Sequence, residues 1–384
     1  MDFCVLLRLL CFKFSGLTKI ICTVTNDLTY DQRMQRICTS LARNGYSVTL
    51  VGRALPHSIP LEEGIFRQRR LRCRFNKGFL FYLEFNLRLC WHLLWARYDA
   101  VCSVDLDTLP AGWAATWLRR KKRVFDAHEY FTEVPEVIGR PVVKWVWNTV
   151  ARVCLPAYRH AYTVGPALAE IFEKKYGIPF GVVRNMPALT RPENQTQNPA
   201  PGIPKILLYQ GALNEARGIE QCLTAMQQLE GMELWLAGEG DLSGRLRQMA
   251  GDLGVQHRVR FLGYIKPADL PALTAQAWLG LNVLENKGLS YYYSLANKFF
   301  DYVQAGVPVL TMDFPEYRAL NAQHEAALLL DRLTPETIVT SVRYLSEHPE
   351  VYHRLQENTA TARREWSWER EESALLQIWE KVGA

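Results

Sequence analysis

A short helix that breaks directly into a buried strand is the sequence feature that most constrains the fold. Residues 294–310 read SLANKFFDYVQAGVPVL. Aromatic and aliphatic residues recur there at helical spacing, and Gly306 stands where a left-handed helix C-cap belongs. The run VPVL that follows is typical of a short buried strand. We therefore expect a helix-to-strand connection of an α/β fold.

The first turn of this helix carries residues suited to a sugar nucleotide. Asn297 and Lys298 lie where free N–H groups and the positive end of the helix dipole favour an anion such as a diphosphate. Asp301 follows one turn later on the same face, and a carboxylate accepts two hydrogen bonds from a ribose or sugar diol. The alternative is that Asn297 caps a helix and Asp301 is a solvated surface charge.

Length and composition predict a globular protein of two domains. The 384 residues suffice for two separate cores, and 48% hydrophobic and 22% charged residues are ordinary globular values. Nine cysteines without a C-x-x-C pair or metal-ligand spacing are typical of buried thiols in a reducing cytosol. The sequence DLD at residues 105–107 looks like a metal-binding D-x-D motif, but we interpret it as a strand end with loop residues. No metal site is predicted.

The first 18 residues are expected to lie outside the fold. They read MDFCVLLRLLCFKFSGLT, and Arg8 and Lys13 interrupt an apolar run that is too short to span a bilayer. No small-residue cleavage site follows. Residues 1–18 are either a misassigned start or a weak membrane-surface anchor.

Residues 19–187 predict a first α/β domain. The β-branched run KIICTVT predicts an opening strand, and a polar loop, a helix and a second strand at residues 47–51 follow it. This order is typical of a parallel sheet. Farther along, RVFDAHEYF predicts a strand that ends at His128, at the edge where open α/β sheets place ligands. A buried histidine satisfied by Asp126 or Glu129 is the alternative.

A basic segment precedes a long apolar helix in this domain. Residues 67–77 carry five arginines and a lysine, and a second basic run covers residues 119–123. Residues 79–97 are apolar apart from a stripe of Glu84, Arg88 and His92. Basic beside apolar surface is typical of a contact with an anionic membrane. The alternative is a core helix beside solvated arginines.

The second domain is predicted at residues 205–365, after a linker at residues 188–204 that is rich in proline, asparagine and glutamine. Its first strand ends at Gly211, and Arg217 stands at the start of the next helix. A cation there would neutralise a diphosphate, although a solvated loop arginine is the alternative. The amphipathic pattern of residues 366–384 predicts a final helix.

The segment at residues 294–310 resembles the donor-binding segment of family-four retaining glycosyltransferases with the GT-B fold, in which NK-F-(D/E)-Y-x-x-A-G-x-P-V is common. The resemblance covers the chain from Lys19 onward. It implies two Rossmann-like domains facing across a cleft, with the C-terminal helix crossing back to the first domain. Donor binding would belong mainly to the second domain and acceptor binding to the first.

The resemblance also implies roles for particular residues. His128, Arg217 and Lys298 would be catalytic. The donor site would contain Gly211, Glu239, Tyr264, Ser294, Leu295, Ala296, Asn297 and Asp301. The acceptor side would contain Asn26, Asp27 and Arg33.

The sequence departs from the family pattern at three places. The loop after the first strand, NDLTYDQR, contains no glycine. Ala212 stands where relatives usually carry a second base, and Tyr293 stands where the first of two glutamates eight positions apart is typical. The second of these glutamates corresponds to Asp301.

The implied function is transfer of a sugar from a nucleotide sugar to a saccharide or lipid-linked saccharide, with retention, in cell-surface polysaccharide synthesis. We expect a hexosyltransferase type of enzyme that needs no metal and no cofactor, with an anionic membrane surface rather than nucleic acid as the partner of the basic segments. The expected location is cytoplasmic, at the inner face of the cell membrane. The alternatives are a non-catalytic module that binds a sugar nucleotide or a partner, and a sugar-nucleotide epimerase. A dinucleotide oxidoreductase is disfavoured, because no G-x-G-x-x-G follows the first strand.

Overall fold

The computed structural model describes residues 18–56, 58–189 and 203–383, which form two parallel β-sheets flanked by helices. The predicted α/β architecture with two Rossmann-like sheets is confirmed. Apart from residue 18, the predicted leader lies outside the described residues, and so does most of the predicted linker. No helix within these described ranges combines the length and apolar character needed to cross a membrane.

The first sheet has seven strands within the described residues. They are β1 (Lys19–Thr23), β2 (Ser47–Ala54), β3 (Arg67–Arg72), β4 (Ala100–Val104), β5 (Lys122–Ala127), β6 (His160–Thr163) and β7 (Phe180–Val182). Their spatial order is β3-β2-β1-β4-β5-β6-β7, and every neighbouring pair is parallel. The order reverses between β1 and β4, and ligands bind at such a reversal, outside the carboxyl ends of the strands.

Six helices accompany this sheet in the described ranges. They are α1 (Gln32–Arg43), α2 (Gly78–Trp95), α3 (Asp105–Leu118), α4 (Pro135–Ile138), α5 (Pro141–Cys154) and α6 (Pro166–Tyr176). Asp31 caps α1, because its carboxylate accepts the Met34 N–H at 2.9 Å. Met34, Ile37 and Leu41 of α1 pack into the same core cluster as residues of β1 and β2. The helix α1 is therefore held with its start beside the carboxyl end of β1.

The second sheet repeats the same winding. Its strands are β8 (Lys205–Gln210), β9 (Met232–Ala237), β10 (Val259–Gly263), β11 (Leu279–Asn282), β12 (Val309–Met312) and β13 (Ala327–Leu330). Their order is β10-β9-β8-β11-β12-β13, again parallel throughout. The helices are α7 (Ile219–Ala225), α8 (Ser243–Asp252), α9 (Leu270–Thr274), α10 (Leu289–Tyr292), α11 (Asn297–Gln304), α12 (Pro315–Asn321), α13 (Pro335–Glu347) and α14 (Pro349–Glu365). The reversal between β8 and β11 gives this sheet its own ligand-binding edge.

The last helix, α15 (Trp368–Gly383), packs against the first domain. Trp368, Leu375 and Trp379 belong to the core cluster that also contains β1, β2 and α1 residues. The indole N–H of Trp368 donates to the Ser40 hydroxyl at 2.8 Å. The predicted crossing helix is thus confirmed.

Local predictions succeeded where the apolar pattern was clear. Strand β8, helix α2 and helix α11 lie where the sequence indicated them, and Gly306 has the left-handed φ of +76° expected after α11. One local interpretation was wrong, because DLD at residues 105–107 forms the first turn of α3 rather than a loop. The edge strand β3, formed by the arginine-rich residues 67–72, was not predicted.

Candidate functional site

A cleft between the two domains collects side chains from both sheet edges. One cavity of about 610 Å³ is lined mainly by loop residues at the carboxyl ends of strands, together with the start of α11. Its lining is Asn26, Asp27, Asp31, Gln32, Arg33, His128, Val164, Asn185, Leu295, Asn297 and Asp301. The three predicted acceptor-side residues therefore face the same space as His128 and the predicted donor helix.

An adjoining cavity of about 400 Å³ lies on the second domain. The predicted donor residues Gly211, Glu239, Tyr264, Asn297, Lys298 and Asp301 all line it. Asn297 and Asp301 line both cavities, so the two spaces meet at α11. The cleft is therefore continuous from the second domain to His128.

Two glycines let the ends of β8 and β9 touch through their backbones. The Gly211 N–H donates to the Ala237 carbonyl at 2.9 Å, and Gly238 has a φ of +148°. A Cβ on Gly238 would lie 2.0 Å from the Gly211 carbonyl oxygen, so a side chain cannot fit without a backbone shift. This contact forms the floor of the donor-side cavity.

Lys298 is a buried amine beside this floor. Its Nζ lies 3.8 Å from the centre of the Tyr209 ring, and no carboxylate of the described residues lies within 4.0 Å of it. Burial, followed by the positive charge of Arg217, lowers the pKa of Lys298 well below its ordinary value. An arriving anion would reverse this shift, because it would stabilise the charged ammonium.

Arg217 is a second basic residue near Lys298, although it lines neither cavity, and no ion pair links it to a carboxylate of the described residues. Its guanidinium lies 4.8 Å from the centre of the Tyr291 ring, and its buried Nε has no hydrogen-bond partner within the described part of the chain. The preceding residue, Ala216, holds a positive φ of +61°, and its carbonyl accepts the Glu285 N–H at 3.0 Å. The loop that aims Arg217 is therefore held in a specific, strained conformation.

Asp301 lies one turn after Asn297 on α11 and faces the cleft. The Gln210 side-chain amide donates to its Oδ2 at 3.1 Å. Burial raises the pKa of Asp301 to about 6, although Arg36 and Gln210 oppose the shift. A ribose or sugar diol could satisfy the carboxylate that faces this space.

The other predicted donor residues have varied environments. Glu239 and Tyr264 are exposed at the mouth of the donor-side cavity, and Glu239 pairs with Arg247 at 3.0 Å. Ser294 and Ala296 are engaged locally, because the Ser294 hydroxyl donates to the Tyr291 carbonyl at 2.8 Å and the Ala296 N–H donates to the Tyr317 hydroxyl at 2.9 Å. Leu295 is buried and lines the cleft.

His128 sits in a network of charges at the end of β5. Its Nε2 lies 3.0 Å from Asp126, and its backbone N–H donates to Asp105 at 2.8 Å. Burial alone would lower the pKa of His128, but the carboxylates of Asp126 and Asp105 outweigh it and raise the pKa to about 9. The imidazole is therefore a cation at neutral pH, at the opposite side of the cleft from Lys298.

The predicted acceptor-side residues all have partners within the first domain. Arg33 is buried, pairs with Asp126 at 2.9 Å and donates to the Val183 carbonyl at 2.8 Å. Asp27 pairs with Arg70 at 2.6 Å, and the Asn26 amide donates to Asp31 at 2.8 Å. These contacts fix the loop after β1.

Sequence reasoning missed several cleft residues. Gln210 orients Asp301, and Asn185 donates to the Asn297 side chain at 2.6 Å across the two domains. Arg36 faces Asp301 from α1 and donates to Asn185. The position of Gln210, at a strand end before a glycine, is a signal that could have found it. The partners of Asn185 and Arg36 lie too far away in the sequence for a local pattern to show them.

The residue eight positions before Asp301 is Tyr293, and in the structure the nearest upstream glutamate does not take its place. Tyr293 packs against the core cluster of the first domain, and its ring lies 5.0 Å from that of Tyr292. Glu285, the nearest upstream glutamate, accepts from the Gln221 amide at 3.2 Å. The departure from the two-glutamate pattern is thus a feature of the folded site.

Two sequence profiles match consecutive parts of the chain. The profile described as Glycosyltransferase Family 4 matches residues 32–187, and the one described as Glycosyl transferases group 1 matches residues 190–362. Among curated relatives, the lipopolysaccharide core biosynthesis glycosyltransferase LpsD of Rhizobium meliloti strain 1021 is 25% identical over 176 residues, which are 46% of this chain and 48% of LpsD. LpsE, a lipopolysaccharide core biosynthesis glycosyltransferase of the same strain, is 37% identical over 59 residues, or 15% of this chain and 17% of LpsE. The matches span less than half the length of these relatives.

Solved structures share the whole fold. Sucrose-phosphate synthase from Thermosynechococcus elongatus superposes with a TM-score of 0.78 at 16% identity, over 95% of this chain and 99% of that one. Anabaena HepE, solved in complex with UDP-glucose, gives 0.72 at 15% identity, over 95% and 99%. WaaG, a glycosyltransferase involved in lipopolysaccharide biosynthesis, gives 0.68 at 16% identity, over 94% and 99%.

Two facing parallel sheets, a cleft between their carboxyl edges and a helix that returns to the first domain define the GT-B class of protein. Within that class, residues 190–362 belong to the glycosyl transferases group 1, and residues 32–187 belong to Glycosyltransferase Family 4.

Proposed function

We propose that this protein transfers a sugar from a nucleotide-sugar donor to a saccharide or lipid-linked saccharide acceptor, with retention and without a metal ion, in the synthesis of a cell-surface polysaccharide. The observation that carries the proposal is the pair of cations, Lys298 and Arg217, beside the start of α11, with Asp301 one turn behind. A diphosphate and a ribose diol fit these groups in that order. Solved neighbours described as complexes with UDP or UDP-glucose support a nucleotide-sugar donor.

The residues of the cleft have different roles in the proposed transfer. Lys298, Arg217 and the first-turn N–H groups of α11 stabilise the negative charge that develops on the leaving diphosphate. The positive His128 faces the cleft from the first domain, on the side where the transferred sugar would lie. In a front-face displacement the acceptor hydroxyl attacks the anomeric carbon, the bond to the diphosphate breaks, and the leaving phosphate oxygen takes the acceptor proton.

The curated relatives support a lipid-linked acceptor. Both are named for lipopolysaccharide core biosynthesis, in which saccharides are built on a lipid. We propose that the protein works in the cytoplasm at the inner face of the cell membrane, where such an acceptor is presented.

A second candidate function is a non-catalytic module that binds a sugar nucleotide. Tyr293 in place of the first glutamate and Ala212 in place of a second base favour it. Both candidates predict that a nucleotide sugar raises the unfolding temperature, because a ligand that binds the native state stabilises it. They differ in turnover, which the module lacks.

The experiment is a thermal-shift screen of nucleotide sugars, followed by measurement of donor consumption with and without a lipid-linked saccharide. Acceptor-dependent release of nucleoside diphosphate, with the anomeric configuration of the donor retained in the product, is the expected result. Donor consumption without acceptor would indicate an epimerase or hydrolase, and binding without consumption would indicate the module.

Turnover should also survive EDTA. In this proposal the cationic groups and the helix N-terminus neutralise the diphosphate instead of a divalent ion, and no cluster of three or more metal-ligating side chains occurs among the described residues. Activity should stay within about twofold of the untreated enzyme. Complete loss of turnover on chelation, restored by manganese or magnesium, would refute metal independence. Asp105 and Asp107 would then be the candidate metal ligands.

A further inference from the structure

The helix α2 is apolar on two opposite sides. Its inner side, formed by Phe81, Phe85, Leu89 and Leu93, is buried against the first sheet and α3. Its outer side exposes a row of residues at four-residue steps. Phe79, Leu83, Leu87, Trp91 and Trp95 are each between 45% and 74% exposed. A row of five large apolar side chains on one helix face is more than the scattered exposure that soluble surfaces normally show.

Neighbouring helices carry further exposed apolar side chains. The helix α3 packs beside α2, and α5 packs beside α3. Trp117 and Leu118 are exposed on α3, and Val142 and Trp145 are exposed on α5. We call this surface of α2, α3 and α5 the aromatic face.

The edge strand β3 supplies a basic border to the aromatic face. Arg67, Arg69, Arg72, Arg74 and Lys77 are all exposed, and none forms an ion pair within the described residues. The acidic residue on the adjoining part of α2, Glu84, is already neutralised, because Arg88 pairs with it at 2.8 Å. Arg70 is excluded from this border, since it points to the other side of β3 and pairs with Asp27.

A groove joins the basic border to the aromatic face. It has a volume of about 760 Å³ and lies between β3 and the exposed side of α2. Three arginines line it, Arg69, Arg72 and Arg88, together with Trp91, Trp95 and His92. The buried Nε2 of His92 has no hydrogen-bond partner within the described part of the chain. Cationic and unmet polar groups next to indole rings fit a phosphate headgroup attached to an acyl chain.

We infer that the aromatic face and its basic border dock this protein onto an anionic lipid bilayer, with lipid phosphates in the groove between β3 and α2. Tryptophans prefer the interface between headgroups and acyl chains, and arginines beside them attract the negative surface of the leaflet. Both features are present on one side of the first domain. A protein partner would have to match five unpaired cations as well as the exposed tryptophans, whereas an anionic leaflet matches both without a specific shape.

The docking surface lies next to the cleft. Residues of β3 alternate in direction, so Arg69 faces the groove whereas Arg70 contacts Asp27, which lines the cleft cavity. A saccharide linked to a lipid of the same leaflet would therefore approach the cleft from its predicted acceptor side. This link rests on the proposed function, but the docking itself does not.

Flotation with lipid vesicles tests the docking. The wild-type protein is mixed with phosphatidylcholine vesicles that contain or lack phosphatidylglycerol. It is compared with an arginine variant (R67Q, R69Q, R72Q and R74Q) and an apolar variant (L87S, W91S and W95S). A matched control removes four exposed arginines that form no ion pair and lie away from the face (R245Q, R332Q, R364Q and R370Q).

We expect the wild type and the control to float with the anionic vesicles, and high salt to release them. Both test variants should partition onto the vesicles at least about tenfold more weakly, since each basic residue near the surface and each buried indole adds to the affinity. Equal flotation of the wild type and the arginine variant, or no flotation of the wild type, would refute the inference.

Two further measurements separate docking through this face from misfolding of a variant and from self-association. Brominated lipids should quench the tryptophan fluorescence of the bound wild type, and an absence of quenching would contradict docking through this face even if a variant fails to fold. Sedimentation that shows a wild-type dimer and a monomeric apolar variant would instead assign the face to a contact between copies and overturn the membrane inference. Nucleotide-sugar binding without vesicles is measured separately, so a failure of the proposed function remains distinguishable.

Discussion

Burial shifts two neighbouring residues of α11 toward their neutral forms. It lowers the pKa of Lys298 and raises the pKa of Asp301 to about 6. In the cleft without ligand, neither charge is fully compensated, because no carboxylate of the described residues contacts Lys298 and an amide is the hydrogen-bond partner of Asp301. A sugar nucleotide would bring the missing partner for each, an anion for the ammonium and hydroxyl donors for the carboxylate. Recognition of the donor is therefore expected to depend on protonation.

The affinity for the nucleotide sugar should fall as the pH decreases through about 6. The ionised form of Asp301 accepts hydrogen bonds from a diol, and protonation removes that capacity. Asp301→Asn should weaken binding about ten- to hundredfold at pH 7.5, equivalent to about 1.5–3 kcal/mol. Calorimetry at pH 5 to 8 measures both effects.

The Asp301→Asn variant is its own control for the pH effect. The fall in affinity below about pH 6 should disappear in this variant, because the titrating carboxylate is gone while the shape of the side chain is kept. An equally steep pH dependence in the variant would assign the titration to another group. Unchanged affinity at pH 7.5 would remove Asp301 from the donor site.

His128 should titrate near pH 9. The carboxylates of Asp126 and Asp105 raise its pKa despite burial, so Asp126→Asn should lower the midpoint by about one unit or more. Because the folded-state pKa lies above the ordinary value, the stabilisation from this charge is fully present below about pH 6.5 and is lost as the pH rises through 9. NMR titration of the imidazole measures the midpoint. A midpoint near 6.5 in the wild type would contradict this network of charges.

At the scale of elements, the donor side depends on the contact between the ends of β8 and β9. The two strand ends can hold this conformation only because residue 238 is a glycine. Gly238 has a φ of +148°, and a Cβ there would lie 2.0 Å from the Gly211 carbonyl oxygen. The floor of the cavity is thus determined by backbone packing, and the side chains of α11 are placed above it.

Gly238→Ala should destabilise the protein by about 1–3 kcal/mol and reduce donor affinity, because the loop must shift to relieve the clash. Gly244→Ala is a matched control on α8, where a Cβ meets nothing within 4 Å, and it should be neutral or stabilising by up to about 1 kcal/mol. Urea denaturation of both variants gives the free energies of unfolding. If Gly238→Ala were as stable as the control, the close approach at this position would not matter energetically.

The elements that the sequence predicted well are those with a clear apolar period and a glycine at their end. Strand β8 before Gly211 and helix α11 before Gly306 are examples. Strand β3 was missed because four of its six residues are arginines, so it lacks the alternation of apolar and polar residues that predicts a strand. Charged side chains of this kind are typical of an edge strand. Arg33 and Arg70 were grouped with surface or cleft charges, since their partners Asp126 and Asp27 lie far away in the sequence.

At the scale of the whole molecule, the first domain is built from two separate parts of the chain. Residues 19–187 form its sheet, and α15 completes its core after the entire second domain has intervened. Arg184 and Glu371 form an ion pair at 3.1 Å where the two parts meet. The backbone N–H of Trp368 donates to the Pro187 carbonyl at 2.8 Å. The stability of the first domain therefore depends on residues that belong to the far end of the second.

Trp379→Ala should destabilise the first domain by about 3–5 kcal/mol, because the indole is 1% exposed and its loss leaves a cavity beside Tyr46. Glu380→Ala, one residue away on the exposed side of α15, should change the free energy of unfolding by less than about 0.5 kcal/mol. Limited proteolysis should show that the first domain, rather than the second, becomes susceptible in the Trp379 variant. Equal susceptibility of both domains would contradict a core shared by α15 and the first sheet.

The return of α15 also sets the order in which the protein can mature during translation. Domains commonly fold as they emerge from the ribosome, the N-terminal one first. Here the first domain emerges first, but its core is incomplete until residues 368–383 have been synthesised. The second domain, which is contiguous in sequence, is therefore synthesised before the first domain can complete its core. Ribosome-bound chains arrested after residue 366 should therefore keep the first domain sensitive to protease and dependent on chaperones. Chains with a C-terminal extension long enough to bring residues 368–383 out of the ribosome should lose that sensitivity.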